Sequence, residues 1–147
     1  MKKLLIIALV LLVVGAAAAF LVYKYVYNKP HPNYETKKAD LTIEGKRLWT
    51  DYSMNKDIAD KKYTGKVLLV DGIIMRVEEV EGMVIVVFAY KRGDFGDEGI
   101  RVTMLPDHAQ AAKGIDPFKP VKIKGLCTGF NGTDVIMENG SIVGTQQ

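Results

Sequence analysis

The sequence is poor in the residues that carry most chemistry. One cysteine, Cys127, stands among 147 residues, so neither an intrachain disulfide nor a cysteine-based zinc site can form. A lipid-modified cysteine would have to follow the apolar run near the start, and none does. There are two histidines, His31 and His108, and two serines, Ser53 and Ser141. Neither serine sits in a nucleophile motif, and HExxH and phosphate-loop patterns are missing. Glu78, Glu79 and Glu81 fall in a polar turn pattern and read as solvated. The chain is therefore expected to be a binding protein and not an enzyme, with no catalytic residue, cofactor or metal assigned.

An excess of one charge is also missing where it would matter. The chain has 20 basic and 17 acidic residues, a net charge of +3. Lys2, Lys3 and Lys24 flank an apolar run, and setting them aside leaves 17 of each sign. The remainder is near neutral, which weakens the electrostatic argument for a nucleic-acid partner.

What the chain does have is one long uncharged stretch, Leu4 to Tyr23. A cleaved secretory signal would use the small residues Ala16 to Ala19. An uncleaved signal-anchor would use the whole run, since about 20 residues at 1.5 Å each span a bilayer core of roughly 30 Å. Apolar residues continue past the alanines, and Tyr23, Tyr25 and Tyr27 then stand where an interfacial aromatic belt belongs. These features favour a single-pass transmembrane anchor over residues 1–27. Lys2 and Lys3 favour a cytoplasmic start, so the C-terminal part is expected to be extracytoplasmic, periplasmic in a bacterium.

Residues 28–39 read as a linker, with Pro30 and Pro32 ending the first helix. His31 between them is expected to be solvated. Residues 40–63 read as one helix that packs on the following domain. Its apolar stripe is Leu41, Leu48, Tyr52, Ala59 and Tyr63, widened by Trp49, with Asp40 or Thr42 as cap and Gly45 as a weak point.

Residues 64–147 read as strands. Lys66 to Val77 is long and β-rich, with Asp71-Gly72 placed to let it bend. Met83 to Tyr90 and Ile100 to Leu105 are the next two strands, separated by the polar loop Arg92 to Gly99. Asp107 caps a short helix that ends at Gly114. Lys119 to Phe130 is the fourth strand, Asn131-Gly132 a turn, and a fifth strand starts at Val135. Strand, strand, strand, helix, strand, strand is the order of a five-stranded OB-fold barrel. The fold expected is mainly β: that barrel, preceded by an α-helix and an N-terminal transmembrane helix.

Particular residues carry a resemblance. Tyr63, Gly65 and Lys66 lead to the segment Lys124-Gly125-x-Cys127-Thr128-Gly129-Phe130 and on to Asp134-Val135. Tyr27 to His31 form a junction after the apolar run, and Ala39-Asp40 precede a helix with Leu48-Trp49. Together these resemble the tRNA-anticodon-like OB-fold family of small membrane-anchored bacterial proteins, frequent in the Bacteroidetes group. The resemblance implies a fold more than an activity. Some members carry further cysteines in strands three and five. Here those regions read RVTML and MENGS, so a relative's disulfide does not transfer.

Alternation places Lys122, Lys124 and Phe130 on one face of the fourth strand, opposite Val121 and Ile123. Tyr90, Arg92 and Arg101, with Phe88 and Lys91, would extend a basic and aromatic patch. Asp94, Asp97 and Glu98 could hold a hard cation such as calcium, but their spacing lacks a calcium-loop pattern. The function expected is a membrane-anchored extracytoplasmic OB module for a protein, peptide or glycan of the cell envelope. The alternative is a single-stranded nucleic-acid-binding OB domain.

Overall fold

In the computed structural model, residues 2–24 and 33–145 are described, with α1 side chains only at Lys3, Ile6 and from Val10 onward. Two compact units divide the chain, Met1–Asn33 and Tyr34–Gln147. The first unit contains helix α1, Lys2–Val22, whose sequence carries no charge after its two lysines. Counted over the described residues, no helix is long and apolar enough to cross a membrane, so the expected span is not established at this level. His31, Tyr25, Tyr27 and the YNKPH junction lie outside the described residues.

The second unit is one seven-stranded sheet in the order β1-β2-β6-β7-β5-β4-β3. The strands are β1 (Leu41–Glu44), β2 (Val67–Ile73), β3 (Arg76–Val80), β4 (Met83–Gly93), β5 (Gly96–Met104), β6 (Pro120–Phe130) and β7 (Val135–Thr145). Five strands were expected, and two differences account for the seven. The long first strand breaks at Ile74-Met75 into β2, which pairs with β6, and β3, which pairs with β4. Because β2 and β3 follow each other directly, this bend closes the sheet into an OB-like barrel. Ile74 is buried in the bend, and the Met75 N–H reaches the Val87 carbonyl at 2.9 Å. The break falls beyond Asp71-Gly72, since Gly72 still pairs with Val121. The second difference is β1, a short parallel strand on β2 in a stretch read as helix.

The single helix expected over 40–63 is β1 followed by α2 (Gly45–Met54) and α3 (Lys56–Tyr63). Asn55 interrupts it with an extended backbone, and its side chain caps α3 by accepting from the Ile58 N–H at 3.1 Å, the role an N-cap asparagine is suited to. Asp40 caps nothing: its carboxylate accepts from the Val67 N–H and ties the start of β1 to β2. Leu48, Tyr52, Ala59 and Tyr63 are buried as the stripe requires, whereas Leu41 is exposed on the edge strand. Asp107 does not cap α4 (Pro106–Lys113) either; Leu105 holds that position, with Pro106 in the first turn. The core joins Leu48, Tyr52 and Tyr63 to Val70, Phe88, Ile100 and Ile123.

Candidate functional site

Gly45, the expected weak point of the helix, has a packing role. A Cβ there would collide with the Tyr90 hydroxyl and lie 3.1 Å from Val70 Cγ1. A Cβ on Gly72 would lie 2.9 Å from the same hydroxyl and 3.1 Å from Phe88 Cδ1. The two glycines form a slot for Tyr90, whose ring lies 6.3 Å from that of Trp49. Burial, with Glu44 and Asp71 nearby, pushes the Tyr90 pKa up, and its hydroxyl is buried with no hydrogen-bond partner. Phe88 is fully buried in the core. The Phe88 ring is therefore not presented for stacking on a base, whereas the half-buried Tyr90 ring lines a hollow described below.

Arg101 is committed to the protein itself. Its Nη1 donates to Glu78 Oε2 at 2.7 Å and its Nε to Asp134 Oδ2 at 3.1 Å. Arg76 donates to the other Glu78 oxygen and to Asp97 Oδ2, both at 2.7 Å. Burial alone would raise the Glu78 pKa, but hydrogen bonds from Arg76 and Arg101 outweigh it and hold the carboxyl below its ordinary range. Asp134 also accepts the Gly99 N–H at 2.8 Å. Two guanidiniums and three carboxylates thus form one network across β3, β5 and the turn before β7. Sequence reading placed Arg101 in a ligand patch, Asp97 among cation ligands and Glu78 in a solvated turn; it missed their union because the bonds that join the strands span 21 to 33 positions.

The loop expected over Arg92 to Gly99 is mostly the end of the β4–β5 hairpin, with only Asp94 and Phe95 between the strands. Arg92 is exposed on it. Asp97 is bound to Arg76, and Glu98 pairs with Lys91 at 3.3 Å. No group of three or more His, Cys, Asp or Glu among the described residues is placed to hold a metal ion.

Lys122 and Lys124 lie on the outward face of β6, with Val121 and Ile123 buried. Phe130 does not join them. The pairing of β6 with β7 shifts between Cys127 and Gly129, where Gly129 takes φ 133°. After that irregularity the Phe130 ring packs on Tyr52, with centroids 5.6 Å apart. Lys124 is engaged too: its Nζ donates to the Glu35 carbonyl at 2.6 Å. Lys122 alone of the three faces open space. Cys127 is fully buried, 3.4 Å from the Tyr52 hydroxyl, and burial pushes its thiol pKa up.

Two hollows share a wall at Glu44, Gly72 and Ile73, and Lys122 lines the first. One, about 300 Å³, lies among Glu44, Asp71, Ile73, Pro120 and Lys122. The other, about 370 Å³, shares Glu44, Gly72 and Ile73 and adds Lys46, Met75, Tyr90 and Phe118. Asp71 stands directly across from Lys122 on the neighbouring strand. Yet none of Glu44, Lys46, Asp71 and Lys122 is ion-paired among the described residues, and Asp71 keeps one buried carboxylate oxygen without a donor. Of this cleft, sequence reading named only Lys122 and Tyr90. Asp71 was read as part of a bend.

A family model described as tRNA_anti-like matches residues 1–142. The chain belongs to this family. Its fold is similar to that of a lipoprotein from Klebsiella pneumoniae subsp. pneumoniae that carries a provisional nucleic acid-binding name. The TM-score is 0.54 at 14% identity, over 79% of this chain and 100% of that one. A likeness at that identity concerns the fold. The asparaginyl-tRNA synthetase of Pyrococcus horikoshii matches at TM-score 0.38 and 15% identity, over 58% of this chain and 21% of the enzyme. An aspartyl-tRNA synthetase provisionally named from Leishmania major matches at 0.47 and 8%, over 80% of this chain and 23% of that one. The chain thus spans about a fifth of these synthetases. No curated protein matches the sequence. The family is one of anticodon-binding-like OB folds, and its match brings no catalytic family with it.

Proposed function

We propose that the chain is a binding module anchored in a bacterial membrane by its N-terminal helix, with the barrel on the extracytoplasmic side holding a protein, peptide or glycan of the cell envelope. The observation that carries the binding reading is a contrast between two surfaces. On the arginine surface of β3 and β5, which lines a hollow of about 430 Å³, the guanidiniums are neutralised by neighbouring carboxylates. The cleft beside Lys122 keeps its charged groups unpaired, and ligand sites are concave surfaces with a few convergent polar groups. Anchoring draws on the uncharged run Leu4 to Tyr23 of the sequence. The Klebsiella relative's description as a lipoprotein is consistent with a membrane-associated life for the fold. A reporter enzyme fused after Gln147 tests the arrangement: activity on the outer side supports it, and activity in the cytoplasm overturns it.

A second reading, single-stranded nucleic-acid binding, draws on the provisional name of the same relative. Arg92 and Lys122 are available to phosphates, but Arg101 and Lys124 are hydrogen-bonded within the chain and the Phe88 ring is buried. Titration with single-stranded DNA at low salt decides it. Saturable binding that weakens steeply with salt supports this second reading, and no binding removes it.

A further inference from the structure

We infer that the cleft between the end of β2, the start of α2 and the Pro117-Phe118 turn is a saccharide site, taking a neutral, polyhydroxylated ligand. The inference selects the glycan branch of the binding reading above and rests on it.

Charge balance selects a neutral ligand. Glu44 and Asp71 contribute two carboxylates, Lys46 and Lys122 two ammonium groups. Their sum is zero, so an anion meets two carboxylates and a cation meets two ammonium groups. A ligand rich in hydroxyls suits both kinds of neighbour, because each hydroxyl both donates and accepts. Carboxylates accept from it, and lysines donate to it. Elsewhere the same charge types pair with each other, as in Lys113 with Glu79 and Lys91 with Glu98. Asp71 and Lys122 are cross-strand neighbours and still remain apart. One Asp71 oxygen is buried without a donor, a costly arrangement for a carboxylate.

The rim supplies the apolar surface a pyranose ring needs for its C–H face. Phe118 is 71% exposed, and Ile73 and Met75 are exposed beside it. The backbone of Phe118 has φ 71°. That is the third position of a turn begun by Asp116-Pro117 and closed by a 3.4 Å bond from the Lys119 N–H to the Asp116 carbonyl. Glycine or asparagine is the usual occupant there, because a side chain strains the left-handed backbone. A bulky aromatic held at a strained position and pointing away from the core points to a role at the surface. The turn is fixed in place by the Phe118 N–H, which donates to the Ile74 carbonyl at 2.9 Å. The aromatic platform is therefore tied to the barrel bend beside the charged groups.

The test uses the full chain in a detergent without sugar headgroups. It is passed over an array of neutral, amino and acidic saccharides, and a retained neutral member is then titrated against Trp49 fluorescence. We expect saturable binding in the millimolar range or tighter, weakened at least tenfold in Asp71→Asn and Lys122→Met and several-fold in Phe118→Ala. Lys61→Ala, exposed on α3 and outside both hollows, keeps full affinity. Thermal melts confirm that the variants fold, and Phe118→Ala keeps the test valid should either charge variant not. Retention of no neutral saccharide, preference for amino or acidic members, or binding unaffected by all three cleft variants overturns the inference. These outcomes are separate from the reporter fusion: a cytoplasmic barrel defeats the envelope reading whatever the array shows, and a silent array leaves the anchored module standing.

Discussion

Lys124 Nζ donates a 2.6 Å hydrogen bond to the carbonyl oxygen of Glu35. The Glu35 carboxylate in turn meets His108 Nε2 at 3.0 Å, and His108 Nδ1 accepts from the Ile142 N–H at 3.3 Å. Residues read as a free spacer are thus fastened to β6 and α4. Lys124 belongs to this fastening.

Lys124→Met is accordingly expected to loosen the segment after Asn33 and to cost about 1 kcal/mol, the net worth of a typical hydrogen bond. Hydrogen exchange read by mass spectrometry checks this. Faster exchange confined to residues 34–40 is the expected result, and unchanged protection there means the bond does not hold the segment. Ligand affinity at the cleft stays at the wild-type level.

Gly45→Ala sets two principles against each other. Helix propensity alone favours alanine by about 1 kcal/mol. The Tyr90 slot opposes it, since the new methyl meets the hydroxyl, and overpacking costs about 1–3 kcal/mol. The expected outcome is net destabilisation. Tyr90→Phe removes a hydroxyl that has no partner, so it is expected to be neutral or mildly stabilising. The double variant recovers much of the loss, giving a clear coupling in a double-mutant cycle of denaturant midpoints. A gain of stability in Gly45→Ala alone would falsify the slot.

The same glycine shows what the sequence could and could not reveal. The alternation of β6 was readable because inward and outward positions follow from period two, and Val121, Ile123 and Cys127 are buried as that requires. The buried stripe of Leu48, Tyr52, Ala59 and Tyr63 was readable for the same local reason. Strand β1 was not, because Leu41 to Glu44 form a strand only by pairing with β2 some 27 positions on. Asn55 did offer a local signal, an N-cap asparagine before Lys56-Asp57, which the continuous stripe hid. At the site, Lys122 and Lys124 look equivalent along the strand. Their difference comes from Glu35, 89 positions from Lys124. Phe130 looked like their neighbour until the irregularity near Gly129 turned it towards Tyr52.

Arg101→Met tests the network on β3 and β5. It leaves Asp134 buried with the Gly99 N–H as its main remaining donor, and Glu78 with Arg76 alone. The expected loss is about 1–3 kcal/mol at neutral pH, the range for hydrogen bonds to charged groups. The pH dependence has a definite sign. The folded-state pKa of Glu78 is depressed, so its contribution is complete above the unfolded carboxylate range and is lost as pH falls through the lower folded value. Wild type therefore loses more stability on acidification than Arg101→Met, and their melting temperatures converge as the carboxylates protonate. A gap that stays constant down to about pH 3, below the ordinary glutamate range, rules the network out as its source.

Cys127 supplies a probe of the barrel that needs no partner. Its thiol is buried beside Tyr52, and its pKa is pushed up by that burial. Both features suppress the thiolate that reacts with alkylating agents. Iodoacetamide is expected to modify the native chain far more slowly than the unfolded one, at a rate set by opening of the barrel. Since β6 pairs with both β2 and β7, exposing Cys127 requires parting two neighbours, so alkylation should track global unfolding as denaturant rises. Gly45→Ala and Arg101→Met, by lowering stability, should raise the logarithm of the native rate in proportion to their measured losses. Native alkylation as fast as that of the unfolded chain, or rates indifferent to both substitutions, would mean that β6 opens on its own and that Cys127 is not sealed by the fold.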